Sequence, residues 1–290
     1  MNYTKKLFEY FSENENRRHI LITPHAPPVE RLSQSIDVAM DAVWDEVDIN
    51  DTIIGLKTYG EIDSLSVKKP EDTSNSLSDT FSMSVKGAGR FRISYFTQRG
   101  SKAFCMKRIP FNIQNCADLD IEEQLTDKLL QILCNQSGGI IALFGPSALS
   151  NSKFAYALLR RINSKERKVI LVTERELSHL MRHDNSIVIQ REIGSDCESI
   201  DDCIREGMDI NPDIIFAGDL LLTDNIPSLV RATETQTTII LSLVASEKES
   251  FTHILKAIFK EQYQLIEKRT QEIIKIMPQP EGKVSVTITT

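Results

Sequence analysis

Residues 138–145 read GGIIALFG, an unbroken apolar run framed by glycines. It does not alternate and is too short to span a membrane, so a strand built from it needs cover on both faces. That is the situation of a strand in a parallel sheet under helices. KVILVT (168–173), SIVIQREI (186–193), DIIFAGD (213–219) and TTIILSLV (237–244) have the same character. LTDKLLQILC (125–134) and IDDCIREGMDIN (200–211) read as helices instead, and PSALSNSKFAYALLRRIN (146–163) as loop then helix. Strands alternating with helices predict a doubly wound α/β domain with a mainly parallel sheet. Residues 250–277 read as helix, and QPEGKVSVTITT as a turn plus a terminal strand or tail.

The first part of the chain has a different pattern. Residues 3–15 carry Leu7, Phe8 and Phe11 on one helical face. HILITPHAPPVERL (19–32) reads as a short strand and a proline-rich turn. In 33–47 a capping serine precedes Ile36, Ala39, Met40, Val43 and Trp44, which predicts a helix with Trp44 in the core. Residues 61–80 are polar and predict an exposed loop. FSMSVKGAGRFRISYFTQRG (81–100) alternates between glycines and predicts a β-hairpin turning near Lys86–Gly89; KAFCMKRI (102–109) adds a strand. The expected organisation is an α+β domain over 1–112, a linker over 113–122 and the α/β domain over 123–290.

Composition narrows the function. The chain of 290 residues has a net charge of −7, which argues against broad nucleic-acid binding. No apolar run reaches the roughly 18–20 residues of a spanning helix, and the charged start has no signal-peptide core, so a cytoplasmic protein is expected. Five cysteines without a C-x-x-C pair read as scattered reduced thiols. His179 and His183 stand four apart in H-L-M-R-H, which reads as an ordinary helix and not as a zinc motif.

The segment from Gly139 to Ser152 is strand, loop, then helix, the context in which loop N–H groups and a helix N-terminus face phosphates. The phosphate-loop motif is G-x-x-x-x-G-K-[ST]. Gly145 and Ser152 hold, but Ser150 stands at the second glycine and Asn151 at the lysine.

Taken with five other segments in the same order, this corner resembles the PilT-type pilus retraction motors and their relatives among the secretion ATPases, over residues 18–270. LITPHAPPVERL, the arginine-bearing hairpin GRFRISYFTQRG with KRIP, GGIIALFGPS, VIQREI, NPDIIFAGDL and ATETQTTIILSLVAS each resemble a family segment. The resemblance implies a RecA-like P-loop NTPase core behind a PAS-like α+β domain. It also implies ATP and Mg²⁺ as cofactors, and a hexamer docked on an inner-membrane pilus or secretion platform protein or on an active motor ATPase. By the same resemblance, Gly145, Ser147, Ser150, Asn151 and Ser152 line the nucleotide, with Ser152 on the metal. Arg90, Arg92 and Arg99 reach the nucleotide of the same or a neighbouring subunit, with Lys107 at the next family arginine. Glu174 and Asp219 hold the catalytic acidic positions.

The departures bear on activity. Asn151 brings no charge to the outer phosphates, whereas charge-assisted bonds are about twice as strong as neutral ones. Ala148 and Ser150 replace glycines whose backbone freedom the loop uses. For a helix starting near Ser150, Lys153 faces away from the phosphates. Arg175 stands at an acidic-box aspartate, Asp219 at a Walker B glutamate, and Thr237 and Val244 at the His-box histidines. Against typical members the C-terminal side reads as shortened. Three functions compete: a degenerate ATPase acting as scaffold or regulator, a slow but genuine ATPase driving retraction, and a nucleotide sensor without turnover.

Overall fold

The computed structural model describes residues 1–32, 35–63, 77–135 and 138–289, with the side chains of 61–63 excepted. The chain divides into two compact units, Met1–Pro110 and Phe111–Thr290.

The first unit holds α1 (Thr4–Glu13), β1 (His19–Ile22), β2 (Val29–Arg31), β3 (Ile36–Val38), α2 (Glu46–Asp63), β4 (Ser78–Val85), β5 (Gly89–Gln98) and β6 (Ser101–Ile109). Its strands form one antiparallel sheet in the order β3-β2-β1-β6-β5-β4. Phe91, Ile93 and Tyr95 of β5, with Phe104 and Met106 of β6, share a core with Leu7 and Phe11 of α1 and Ile49, Ile53 and Leu56 of α2. The helix expected over 33–47 is not formed. Ile36–Val38 instead pairs with Val29–Arg31 as an edge strand, and residues 33–34 lie outside the described residues. The helical start falls later because Asp45 and Asp48 form a reciprocal cap: Asp48 N–H donates to Asp45 Oδ1 at 2.7 Å, and Asp45 N–H to Asp48 Oδ2 at 3.2 Å. Trp44 is fully buried and stacks on Tyr3, ring centroids 4.3 Å apart. Of the loop expected over 61–80, residues 61–63 end α2 and 78–80 begin β4, while 64–76 lie outside the described residues.

The second unit comprises α3 (Glu123–Cys134), β7 (Gly139–Gly145), α4 (Ala148–Lys165), β8 (Val169–Glu174), β9 (Ile187–Glu192), α5 (Ile200–Gly207), β10 (Ile214–Leu220), α6 (Pro227–Ala232), β11 (Thr238–Val244), α7 (Lys248–Phe259), α8 (Tyr263–Arg269), β12 (Thr270–Pro278) and β13 (Val284–Ile288). The sheet runs β13-β12-β7-β11-β10-β8-β9, parallel except for β12–β13. All of β7 is buried, as its unbroken apolar run requires.

Four expectations change in this unit. The helix expected across 250–277 stops at Arg269, and Thr270–Pro278 is a strand because the side of β7 away from β11 is open to it. The stretch 113–122 is not a free linker: Ile113, Leu119 and Ile121 are buried, and Leu119 accepts a backbone bond from Val284. The segment holding His179 and His183 is irregular. One side chain of β9 takes its backbone groups: Gln190 Nε2 donates to the His179 carbonyl, and Met181 N–H donates to Gln190 Oε1. Cys197 and Cys203 are joined in a disulfide, their Cα atoms 5.4 Å apart, where scattered thiols were expected. A bridge between Ile193 and Cys197 folds that loop back onto α5 and brings them together. Among the described residues, no helix is long and apolar enough to cross a membrane.

Candidate functional site

The C-terminal edge of a parallel sheet is where open α/β folds place ligands, because helix N-termini and loops converge there. At that edge β7 ends on Gly145, and α4 begins after only Pro146 and Ser147. Ser147 is the N-cap: its Oγ accepts from Ser150 N–H at 3.2 Å, while its carbonyl accepts from Asn151 N–H at 3.1 Å. The helix therefore starts two residues before the start expected near Ser150, with Ser147 as its N-cap. The physical reason lies in the residues replacing glycine. Ala148, Leu149 and Ser150 are compatible with helix, and a serine just ahead of them satisfies the first turn. Of the residues opening α4, only Ala148 and Leu149 then keep N–H groups outside a cap or ladder bond.

The next two positions are also occupied. Asn151 is fully buried and donates its amide to the Leu243 carbonyl of β11 at 3.0 Å. Its Oδ1 has no hydrogen-bond partner among the described residues and lies beside Gly145, where an added Cβ would come within 2.8 Å of it. Ser152, 3% exposed, donates to Glu174 Oε1 at 3.0 Å. Lys153 donates to the Gly282 carbonyl at 3.3 Å, pointing away from the corner as the helical angle required.

Glu174 ends β8 at 1% exposure. Besides Ser152, it accepts from Tyr156 OH at 2.7 Å, Ser178 N–H at 3.1 Å and Ser178 Oγ at 3.1 Å. Burial raises its pKa against the lowering pull of these donors, and burial beside Glu174 raises that of Tyr156 well above the ordinary phenol value. Gly218 of β10 packs against the Glu174 side chain, where an added Cβ would fall 2.7 Å from Cγ. Asp219, the next residue, has a left-handed backbone (φ 54°) and is partly exposed. Burial raises its pKa; Arg175 opposes, while Asp224 and Glu176 add to the rise. Arg175 is paired with Asp224.

The corner thus brings together Gly145, Ser147, Ser150, Asn151, Ser152 and Glu174, with Asp219 on the adjoining strand end. Arg90, Arg92 and Arg99 belong to the first unit. Arg90 and Arg92 lie on β5 on the face away from its core, where Arg92 is opposite Lys107 of β6. Arg99 and Gly100 form the two-residue turn to β6 with positive φ values of 49° and 84°. Tyr156 and Ser178 join the site without being marked by any motif. Tyr156 was open to detection, since it follows Ser152 by one helical turn. Ser178 was not, because its place depends on an irregular loop.

A magnesium triphosphate does not fit this corner as built. Residues 148–150, at the loop positions of the motif, are wound into helix; Asn151, at its lysine position, is neutral and bonded inward; and Ser152, at its final serine position, is bonded to a buried glutamate. Among the described residues no three histidine, cysteine or carboxylate side chains are grouped to hold a metal ion.

No family profile matches the chain. It is similar to the type IV pilus ATPase PilU of Pseudomonas aeruginosa, 23% identical over 216 residues, covering 74% of this chain and 53% of that protein. The type IV pilus retraction ATPase PilT of the same organism is 25% identical over 173 residues, 60% of this chain and 49% of that one. The chain spans about half the length of these curated relatives. Among solved structures, the pilus retraction motor PilT with bound ADP superposes with a TM-score of 0.76 at 24% identity, over 99% of this chain and 82% of that one.

Proposed function

From the premise that this chain belongs to the PilT-type family of secretion ATPases, we propose that it is a PilT-like component of a type IV pilus or type II-like secretion machine that does not turn over ATP. It acts as scaffold or regulator of an active motor, in the cytoplasm at the inner membrane, through a platform protein or through the motor in a ring that the resemblance makes hexameric. The observation that carries this reading is the start of α4 at Ala148. Phosphoryl transfer is mostly positioning and charge stabilisation. A two-residue connection positions nothing around a triphosphate, and Asn151 supplies no charge where the charge-assisted bonds belong.

The test is ATP affinity, by titration with magnesium present, and phosphate release, on the wild-type protein and on Asn151→Lys. Expected are no saturable binding and no turnover in either. A single lysine cannot reopen a loop that has become helix, and at a fully buried position it lacks a solvated exit. Turnover at motor-like rates in the wild type overturns the proposal in favour of a genuine ATPase. Tight magnesium-dependent binding without turnover overturns it in favour of a nucleotide sensor.

A further inference from the structure

We propose that the outer edge of β13 and the groove beside it form a docking site for an extended, cation-flanked peptide segment of a partner protein, which adds as an eighth strand to the second unit's sheet. β13 is the terminal strand of that sheet. Its residues Val284, Ser285, Val286, Thr287 and Ile288 include no charge and no proline, and four of the five are β-branched. Such an edge is a template for further pairing unless a charge, a proline or a covering element blunts it.

The hydrogen bonds show which backbone groups are open. Val284 N–H points away from β12 and donates to the Leu119 carbonyl at 3.2 Å, whereas Thr289 N–H points inward and donates to the Ile273 carbonyl at 2.8 Å. Strand alternation then directs the N–H and C=O groups of Val286 and Ile288 outward. Among the described residues, no backbone partner meets them on that side.

Next to this edge lies a groove of about 640 Å³. Ile121, Leu125, Val284 and Val286 supply its apolar lining, and Asp120, Glu122, Glu281 and Lys283 its charges. Strand addition draws affinity from main-chain bonds and specificity from pockets that take alternate side chains. The groove fits that second role: Leu125 and Val286, both partly exposed, meet apolar side chains of an added strand, and the surplus of carboxylates selects lysine or arginine at the ends. The same surplus disfavours a second copy of this chain, because pairing β13 with β13 brings two net-acidic surfaces together.

The test uses a fluorescein-labelled peptide, Lys-Val-Thr-Val-Thr-Val-Lys, titrated against the full chain by anisotropy. Two N-methylated versions block alternate backbone N–H sets. Saturable binding is expected; one N-methylated peptide loses it and the other keeps it, and a Glu-flanked peptide binds about tenfold more weakly. Val286→Pro removes an N–H that the β12 ladder does not use, so binding falls about tenfold with an unchanged unfolding midpoint. Leu125→Lys, at a partly exposed position, weakens the Lys-flanked peptide without depending on the strand. Equal binding by both N-methylated peptides, by the Glu-flanked peptide, or by both variants overturns the proposal. A wild-type dimer in sedimentation that Val286→Pro dissociates, with no peptide binding, overturns it in favour of a second copy. None of these readouts involves ATP, so the site stands or falls separately from the proposed loss of turnover.

Discussion

Glu174 accepts four hydrogen bonds, and each donor faces a carboxylate that burial disfavours as an anion. Its folded pKa lies above the ordinary glutamate value of about 4.3. The folded state therefore holds a proton that the unfolded chain has already lost. The contribution of this group to stability is undiminished below that value and declines as pH rises from it through the folded pKa. Denaturant titrations between acid and neutral pH should show this decline in the wild type, and Glu174→Gln should flatten it. The serine hydroxyls around Oε1 can turn to accept from the new amide, so the substitution keeps the network. Glu174→Ala should cost roughly 2–5 kcal/mol at neutral pH, because it leaves the buried Tyr156 OH and the partly buried Ser178 N–H without an acceptor. If Glu174→Ala proves neutral, the network does not organise the corner.

The corner's shape is decided by a helix and two strands acting together. Ser147→Ala should destabilise the protein by about 1 kcal/mol through the lost cap on Ser150, measured by the denaturation midpoint. Gly145→Ala is a harsher change. The new Cβ would sit 2.0 Å from the Ile276 carbonyl oxygen, a backbone atom that yields only if β12 moves off β7. Roughly 3 kcal/mol of destabilisation is expected, together with loss of amide protection in β12 and β13. Gly145 therefore has a packing role here that does not depend on phosphate. Asn151 contributes to the same joint by tying α4 to the end of β11.

Across the molecule the two units differ in charge as well as in fold. Residues 1–110 carry 15 basic and 15 acidic side chains, so the whole net charge of −7 belongs to the second unit. Its carboxylates meet at the sheet's C-terminal edge and around the β13 groove, which makes cationic partners the natural complement. Stability should grade across the sheet. Amides of β7, β10 and β11, flanked on both sides, should exchange only by the largest openings, and those of the edges β9 and β13 fastest. Within β13 the amides of Ser285 and Thr287 should be slower than those of Val286 and Ile288. Uniform protection along β13 would contradict the open edge.

The second unit's first five strands were legible in the residues because long apolar runs have few ways to be buried, and the β4–β5 turn because glycine marks it. The presence of Ser152, Glu174 and Asp219 near one sheet edge was legible through the order of the motifs. Three things were not. Ile36–Val38 has spacing compatible with a helix, and only pairing with β2 makes it a strand. Thr270–Pro278 continues a helical pattern, and only the open side of β7 draws it into the sheet. The first turn of α4 competes with a loop over the same residues, and the Ser147 cap with the Asn151–Leu243 bond decides the outcome. Local sequence sets propensities worth tenths of a kcal/mol per residue, whereas burying a backbone or amide group without a partner costs whole kilocalories. Where the two meet, the contacts from distant strands prevail.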